Sequence, residues 1–388
     1  MRDAPSALVD HGQADTPNRD AGPFRQEIAG EGRAPAFVIN GRFYGQRITG
    51  VQRYGREIVR ALQPLLAQRG AVAALALPRG VVPPATGPAI AAAVPGRLWG
   101  HAWEQAGLPF AGTGPVLNLC NTGPVLRRRQ VVCLHDANAW TWPDSYSRGF
   151  RLFYRALHPL LARRAAVVTT VSQASATDLA RHLGLERRRI AVLPNGHEHA
   201  LRWRISDGAL RRIPRQRPFV LLLGSRARHK NAALLLRLAP ALDDLGLDLV
   251  VTGVRDGIFA AEGGGAAPAG NVHRLGHVSD DELAGLMAQA LCLAFPSWTE
   301  GFGLPIVEAM ARGCPVIASD RASMPEVCGG AAILAPPDAP EAWREAIAAL
   351  QRSPALRSDL IGRGAAQARR FSWAASARCY LDLVDRLL

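Results

Sequence analysis

The sequence predicts an α/β protein made of two doubly wound parallel sheets that face each other across a cleft. Three observations carry this reading. Short apolar runs recur along the chain in the manner of buried strands, amphipathic helical stretches separate them, and the series is interrupted once by a polar, Arg-rich segment before it resumes. The size agrees, since 388 residues suit two domains and a 48% hydrophobic content supplies two cores.

Taken in order, residues 1–35 scatter acids through a polar stretch without an apolar h-region. They are expected to form a disordered tail and not a signal peptide. Residues 36–205 are expected to form the first domain. Its strands are read at "AFVIN" (36–40), "AVAALAL" (71–77), "PVLNL" (115–119), "VVCLH" (131–135), "AVVTTVS" (166–172) and "IAVLPN" (190–195). Amphipathic helices are read at 50–68 and 173–184, and the Pro-, Gly- and Ala-rich stretch 78–97 as an irregular excursion. The Arg-rich break, centred on residues 206–217, is read as a linker. A second domain over 218–370 repeats the pattern with "FVLLLG" (219–224), "DLVVTG" (248–253), "NVHRLG" (271–276), "LCLAFP" (291–296), "CPVIAS" (314–319) and "AAILAP" (331–336). One of its helices opens with the capping box Ser279–Glu282. The last 18 residues, 371–388, read as an amphipathic helix packing back on the first domain. No run of 18 apolar residues is present, so no spanning helix is expected.

The net charge of +14 is unevenly placed. Residues 36–217 hold 26 basic and 8 acidic side chains (+18), whereas 218–370 hold 14 and 16 (−2). One half of the molecule is therefore expected to meet an anionic partner, such as a membrane surface. Charge alone also fits a nucleic-acid-binding protein, but aromatics are only 6%, do not interleave the basic runs, and accompany no recognition motif. The six cysteines form no C-x-x-C pair and read as reduced core residues of a cytosolic protein.

In open α/β sheets ligands bind at the carboxyl ends of strands, so chemistry is sought in the cleft. Two stretches stand out there. In "FPSWTEGFGLPIVEAMARGCPVIASD" (295–320), Glu300 precedes a Gly-Phe-Gly turn and Glu308 sits about one turn into the helix that follows. Turn glycines admit a close ligand, a helix N-terminus favours an anion, and carboxylates accept hydrogen bonds from vicinal hydroxyls. In "GSRARHKNAALLL" (224–236), Lys230 is the only lysine in a chain whose other basic residues are all Arg. A compact ammonium on a flexible stem serves where a guanidinium fork does not.

The 295–320 stretch resembles the E-x7-E motif of the family 4 retaining glycosyltransferases, which have the GT-B fold. The similarity continues through "SMPEVCGGAAILAPPD" (323–338) and through the segments 39–62, "WEQAGLP" (103–109), "LHDANAW" (134–140), "VSQASATDLARHLGL" (171–185), "LPNGHE" (193–198) and "LLGSRARHKN" (222–231). The resemblance implies that Lys230, with Arg226 or Arg228, holds the diphosphate of a nucleotide-sugar; His229 stands where Arg is commoner. It implies that Glu300 binds donor-sugar hydroxyls and Glu308 the ribose. The backbone of Phe302, Gly303 and Leu304 is then expected to meet sugar and phosphate, Gly50 to face the diphosphate from the other domain, and His135 to line the sugar site, with Asp136 beside it. Among these, Lys230, Glu300 and His135 are the expected catalytic residues.

No D-x-D sequence of the metal-dependent glycosyltransferases occurs, and no Walker lysine motif either. Neither a metal nor another cofactor is expected, only a nucleotide-sugar co-substrate. The "TGVQRY" and "WEQ" segments are most similar to bacterial exopolysaccharide and O-antigen enzymes, many of them mannosyltransferases. GDP-mannose is the expected donor, with UDP-glucose or another hexose donor as the alternative. The expected acceptor is a polyprenyl-diphosphate-linked or other glycan, met by a cytoplasmic protein held peripherally at the inner face of the cytoplasmic membrane.

Overall fold

The structure is a computed structural model that describes residues 34–93, 98–214, 217–225, 227–253 and 270–388. Nearly all of the expected N-terminal tail lies outside the described residues. Two parallel sheets form the molecule. The first runs β3-β2-β1-β4-β5-β6-β7, with β1 Phe37–Asn40, β2 Ala73–Ala76, β3 Ile90–Ala93, β4 Val116–Asn118, β5 Gln130–Cys133, β6 Val167–Thr170 and β7 Ile190–Val192. The second runs β10-β9-β8-β11-β12-β13, with β8 Phe219–Leu223, β9 Asp248–Thr252, β10 Val272–Gly276, β11 Cys292–Phe295, β12 Val316–Ser319 and β13 Ile333–Ala335. Every strand pairing is parallel. The strand order reverses between β1 and β4 in one sheet and between β8 and β11 in the other. These are the crevices where such sheets hold ligands.

The periodic apolar runs became strands because both faces of each sheet are covered, so continuous Val, Ile and Leu runs are buried throughout. The stretch 78–97 departs from expectation, since it contains β3. This is an edge strand of Ile and Ala that pairs with β2 alone. Alanine's weak strand preference and the flanking prolines hid it.

The helices that bear on the site are α1 Gly50–Gln68, α2 Arg148–Arg164, α3 Gln173–Leu183, α4 Asp280–Gln289, α5 Leu304–Ala311 and α6 Trp373–Asp385. Thr49 and Gln52 close a capping box at the start of α1, whose Tyr54, Ile58, Leu62 and Leu66 turn inward at helical spacing. The Ser279–Glu282 capping box at α4 is formed as expected. Helix α6 packs along α1, with the Tyr54 and Tyr380 hydroxyls 2.9 Å apart and Arg69 paired to Asp385 at 2.7 Å. The C-terminal segment thus returns to the first lobe. All six cysteines are free; five are buried and Cys379 is exposed.

Local structure continues past β7 to the end of the expected first domain. A short helix, Glu198–Leu201, buries His199 and Ala200, and Trp203 is buried just beyond it.

Candidate active site

Lys230 and Glu300 come from the two central strands of the second sheet. Beyond β8 the chain makes a tight turn over Arg228–Lys230 and then passes through Asn231 in the left-handed conformation. The Asn231 side-chain amide donates to the carbonyls of Pro296 (3.2 Å) and Pro337 (2.8 Å), which fixes the turn against the loops after β11 and β13. Asparagine is suited to this, because it tolerates positive φ and has an amide to spend. The Lys230 ammonium then donates to both Glu300 oxygens, at 2.6 and 2.7 Å. His229, beside it, is buried; its ring Nδ1 lies 2.9 Å from the Ser145 hydroxyl of the first lobe. Burial, aided by the Lys230 charge, lowers the His229 pKa to about 4, so its imidazole is neutral.

The turn after Glu300 is held from both lobes. Ser323 donates to the carbonyls of Glu300 and Phe302, and Ser172 and Ser175, at the start of α3, donate to that of Gly301. Gly301 lies so close to the first lobe that a Cβ there would stand 2.6 Å from the His135 carbonyl oxygen. Gly303 has φ +91°, a conformation open to glycine at little cost, and from it α5 begins. Leu304 and Pro305 open the helix, and both line the cavity that Lys230 and Glu300 also line.

Glu308 is buried in α5 and has its own support. The Trp373 indole N–H donates to His199 Nδ1 at 3.0 Å, so this nitrogen carries no proton. The proton of the neutral ring is then on Nε2, which donates to Glu308 Oε1 at 2.8 Å. Arg53 of α1 approaches the same carboxylate at 3.9 Å and binds Asp280 of α4 in a two-pronged contact at 2.9 and 2.7 Å. Arg53 therefore joins the first lobe to two acids of the second. The sequence reading missed His199, Trp373 and Arg53. "LPNGHE" and "TGVQRY" marked the right neighbourhoods, but the pairing spans 109 residues from His199 to Glu308 and is set by the tertiary fold.

A cavity of about 440 Å³ connects these groups. Lys230, Glu300, Phe302, Gly303, Leu304 and Glu308 line it from one side, and Gly50, His135 and Asp136 from the other. Gly50 is the first residue of α1, and a Cβ on it would meet nothing within 4 Å. His135 lines the cavity with its ring turned to the protein: Nε2 donates to the Leu119 carbonyl at 2.8 Å, and the ring packs edge-on against Tyr54. Burial pushes the neighbouring Asp136 carboxyl up. Arg228 is exposed and is not part of the cavity wall. Arg226 lies outside the described residues.

The cleft thus carries a lysine–glutamate pair at a switch point and a second supported glutamate on the following helix, in the crevice where such sheets hold ligands. Residues 217–353 match the model for glycosyl transferases group 1, and residues 108–201 match that for Glycosyltransferase Family 4. The chain thus carries glycosyl transferases group 1 and Glycosyltransferase Family 4 domains and has the GT-B fold. It is similar to the O-antigen chain mannosyltransferase B of Escherichia coli, at 29% identity over 63% of this chain and 67% of that one. It is also similar to a GDP-mannose:cellobiosyl-diphosphopolyprenol alpha-mannosyltransferase of Komagataeibacter xylinus, at 29% identity over 65% of this chain and 69% of that one. Among solved structures, sucrose-phosphate synthase from Thermosynechococcus elongatus superposes with a TM-score of 0.68, covering 92% of this chain and 99% of that one at 19% identity, which bears on the fold. Among the described residues, no helix is long and apolar enough to cross a membrane.

Proposed function

We propose that the enzyme transfers mannose from GDP-mannose to a polyprenyl-diphosphate-linked or polysaccharide acceptor, with retention at the anomeric carbon and without a metal ion. The carrying observation is the Lys230–Glu300 pair facing Glu308 and two helix N-termini in one cleft. In the free enzyme each member of the pair satisfies the other. An arriving diphosphate draws the ammonium away, which leaves the Glu300 carboxylate free to accept hydroxyls of the sugar. Glu308, held by His199 on one oxygen, presents the other to the ribose. Lys230 and the N-termini of α1 and α5 supply the positive potential that a cation supplies elsewhere. The anomeric carbon–phosphate bond breaks as the acceptor oxygen attacks on the same face. The acceptor proton passes to the departing phosphate oxygen. His135, turned inward, shapes the sugar pocket. The choice of mannose is supported by the names of the two mannosyltransferases similar to this chain; a UDP-hexose is the alternative donor.

Calorimetry and transfer assays with GDP-mannose, UDP-glucose and related donors test this reading, with product stereochemistry read by NMR and activity compared with and without chelator. An inverted product, or loss of activity on chelation, would overturn the mechanism. Glu308→Ala is expected to weaken free GDP by roughly 10- to 100-fold, the worth of a charged hydrogen bond. Glu300→Ala is expected to lower transfer while largely sparing GDP affinity. The opposite pattern would reverse the two roles.

A further inference from the structure

A second cavity, of about 450 Å³, shares Ile48 and Arg53 with the cavity of Lys230 and Glu300 but is lined by neither of those two residues nor by Glu308. Four arginines line it: Arg53, Arg56 and Arg60 of α1, and Arg202 just past the short helix Glu198–Leu201. The three on α1 stand at helical spacing, with Gln63 one turn further, and so share a face. The loop joining β2 to β3 meets this face at Gly87, so close to the Gln63 amide that a Cβ there would clash with it.

Two carboxylates line the cavity against these four cations. Asp280 pairs with Arg53 and Glu57 with Arg202. His199, also in the wall, has a neutral ring. The surplus charge therefore falls on Arg56 and Arg60, neither of which is paired with an acid among the described residues. Arg56 lies 4.9 Å over the Tyr44 ring, a contact that fixes the guanidinium plane and leaves N–H groups at its edge. It spends one of them on the Tyr44 carbonyl, at 3.2 Å, and its Nε has no partner among the described residues. Arg60 is exposed. Like charges four residues apart on a helix repel each other, so the pair gains nothing for α1 unless an anion lies against it. A phosphate dianion matches the surplus of two in charge, and its oxygens match guanidinium forks. Beyond the arginines, Gln63 offers an amide. Thr86 gives its hydroxyl proton to the Ile90 carbonyl at 2.8 Å and keeps an acceptor. The volume falls in the range of small-ligand sites.

We infer that this second cavity is a regulatory anion site. In it the phosphate of a small phosphorylated polyol lies against Arg56 and Arg60, and the hydroxyls meet Gln63 and Thr86. The ligand touches none of the reacting groups, so it is bound without being consumed. Arg53 forms a wall common to both cavities. Two anions drawing on one guanidinium weaken each other's binding, and such coupling is reciprocal. The coupling rests on the nucleotide reading of the first cavity; the anion site does not.

Calorimetry on the full chain tests it, with inorganic phosphate, glucose 6-phosphate and glucose as probes, in the absence and presence of GDP. Glucose 6-phosphate is expected to bind at one per chain, more tightly than inorganic phosphate, and glucose not to bind. Arg56→Gln and Arg60→Gln are each expected to weaken the ester roughly tenfold, the loss of one charged hydrogen bond, with a melting temperature no lower than that of the wild type. Gln63→Ala is expected to bring the ester down to the affinity of inorganic phosphate. Saturating GDP is expected to weaken the ester roughly fivefold without displacing it, and the ester to weaken GDP by the same factor. Undiminished ester affinity in the two folded arginine variants would overturn the site. So would a loss of ester affinity that keeps growing with GDP concentration, the mark of competition for one cavity. Equal affinity for phosphate and ester would overturn the polyol contacts, and independent binding of ester and GDP would overturn the coupling. Failure of every nucleotide diphosphate to bind, with arginine-dependent phosphate binding intact, would instead overturn the donor reading alone.

Discussion

Lys230 spends its free state on Glu300, so a substitution there has two consequences that can be separated. Lys230→Ala is expected to lower transfer by about 10²–10³, the usual cost of removing one donor to a developing charge. It also strands a carboxylate whose side chain is only 10% exposed, which destabilises the fold. Lys230→Ala/Glu300→Gln should recover the melting temperature and none of the activity. Recovery of both would mean that the pair is structural. Lys230→Arg is expected to be impaired, because a planar fork cannot follow the phosphate as an ammonium does. His229 carries a pH signature. Its folded pKa of about 4 lies below the ordinary value of 6.5, so the unfolded chain binds more protons in that interval. Stability from this residue is therefore full above about pH 6.5 and is lost as pH falls toward 4, at about 1.4 kcal/mol per pH unit for one proton. His158 behaves alike. His229→Asn should flatten the melting-temperature profile between pH 6.5 and 4, and an unchanged slope would show that His229 is protonated in the folded protein.

At the level of elements, the strand–turn–helix unit around Glu300 was legible because local chemistry dictates it. Two glycines, a proline at the helix start and two carboxylates with seven residues between them admit few conformations. The "WEQ" segment was legible as a landmark but not in its purpose. Trp103 is fully buried, and Glu104 accepts from Asn40 and Thr122, each at 2.7 Å, with Arg42 at 3.3 Å. Burial alone would raise the Glu104 pKa, but His101 and these partners hold it below the ordinary carboxylate range. The element ties the loops after β1 and β4 together at the switch point, a positioning task that no spacing in the sequence reveals. The strand β3 escaped because edge position relaxes the demand for β-branched residues. The link from Trp373 through His199 to Glu308 escaped because its members lie on three distant elements.

For the whole molecule, the two lobes meet through polar contacts as well as packing. Arg53 holds Asp280, the Glu326 carboxylate accepts from the Gln173 N–H at the start of α3, and Trp142 stacks on Trp298. A cleft joined by such contacts is expected to open and close at modest cost. Arg53→Ala and Asp280→Ala should each raise the radius of gyration of the free enzyme in solution scattering, and the double variant should add little beyond either. Additive effects would mean that the contact does not couple the lobes. The charge asymmetry is a second whole-molecule property. The cationic first lobe is expected to bind anionic vesicles, with each basic residue near the surface contributing about 1 kcal/mol. Binding should fall as salt screens it. Equal sedimentation with neutral and anionic vesicles would count against an electrostatic attachment.

One consequence follows from a chain that carries a single lysine and keeps it in the cleft. Apart from the amino terminus, every amine-directed reagent has one address on this protein, and that address is 27% exposed beside Glu300. Reductive methylation with labelled formaldehyde should therefore yield one side-chain resonance, reporting on the reaction centre without mutation. The resonance should shift when a nucleotide diphosphate replaces Glu300 as the partner of the ammonium, and bound donor should shield the amine from the reagent.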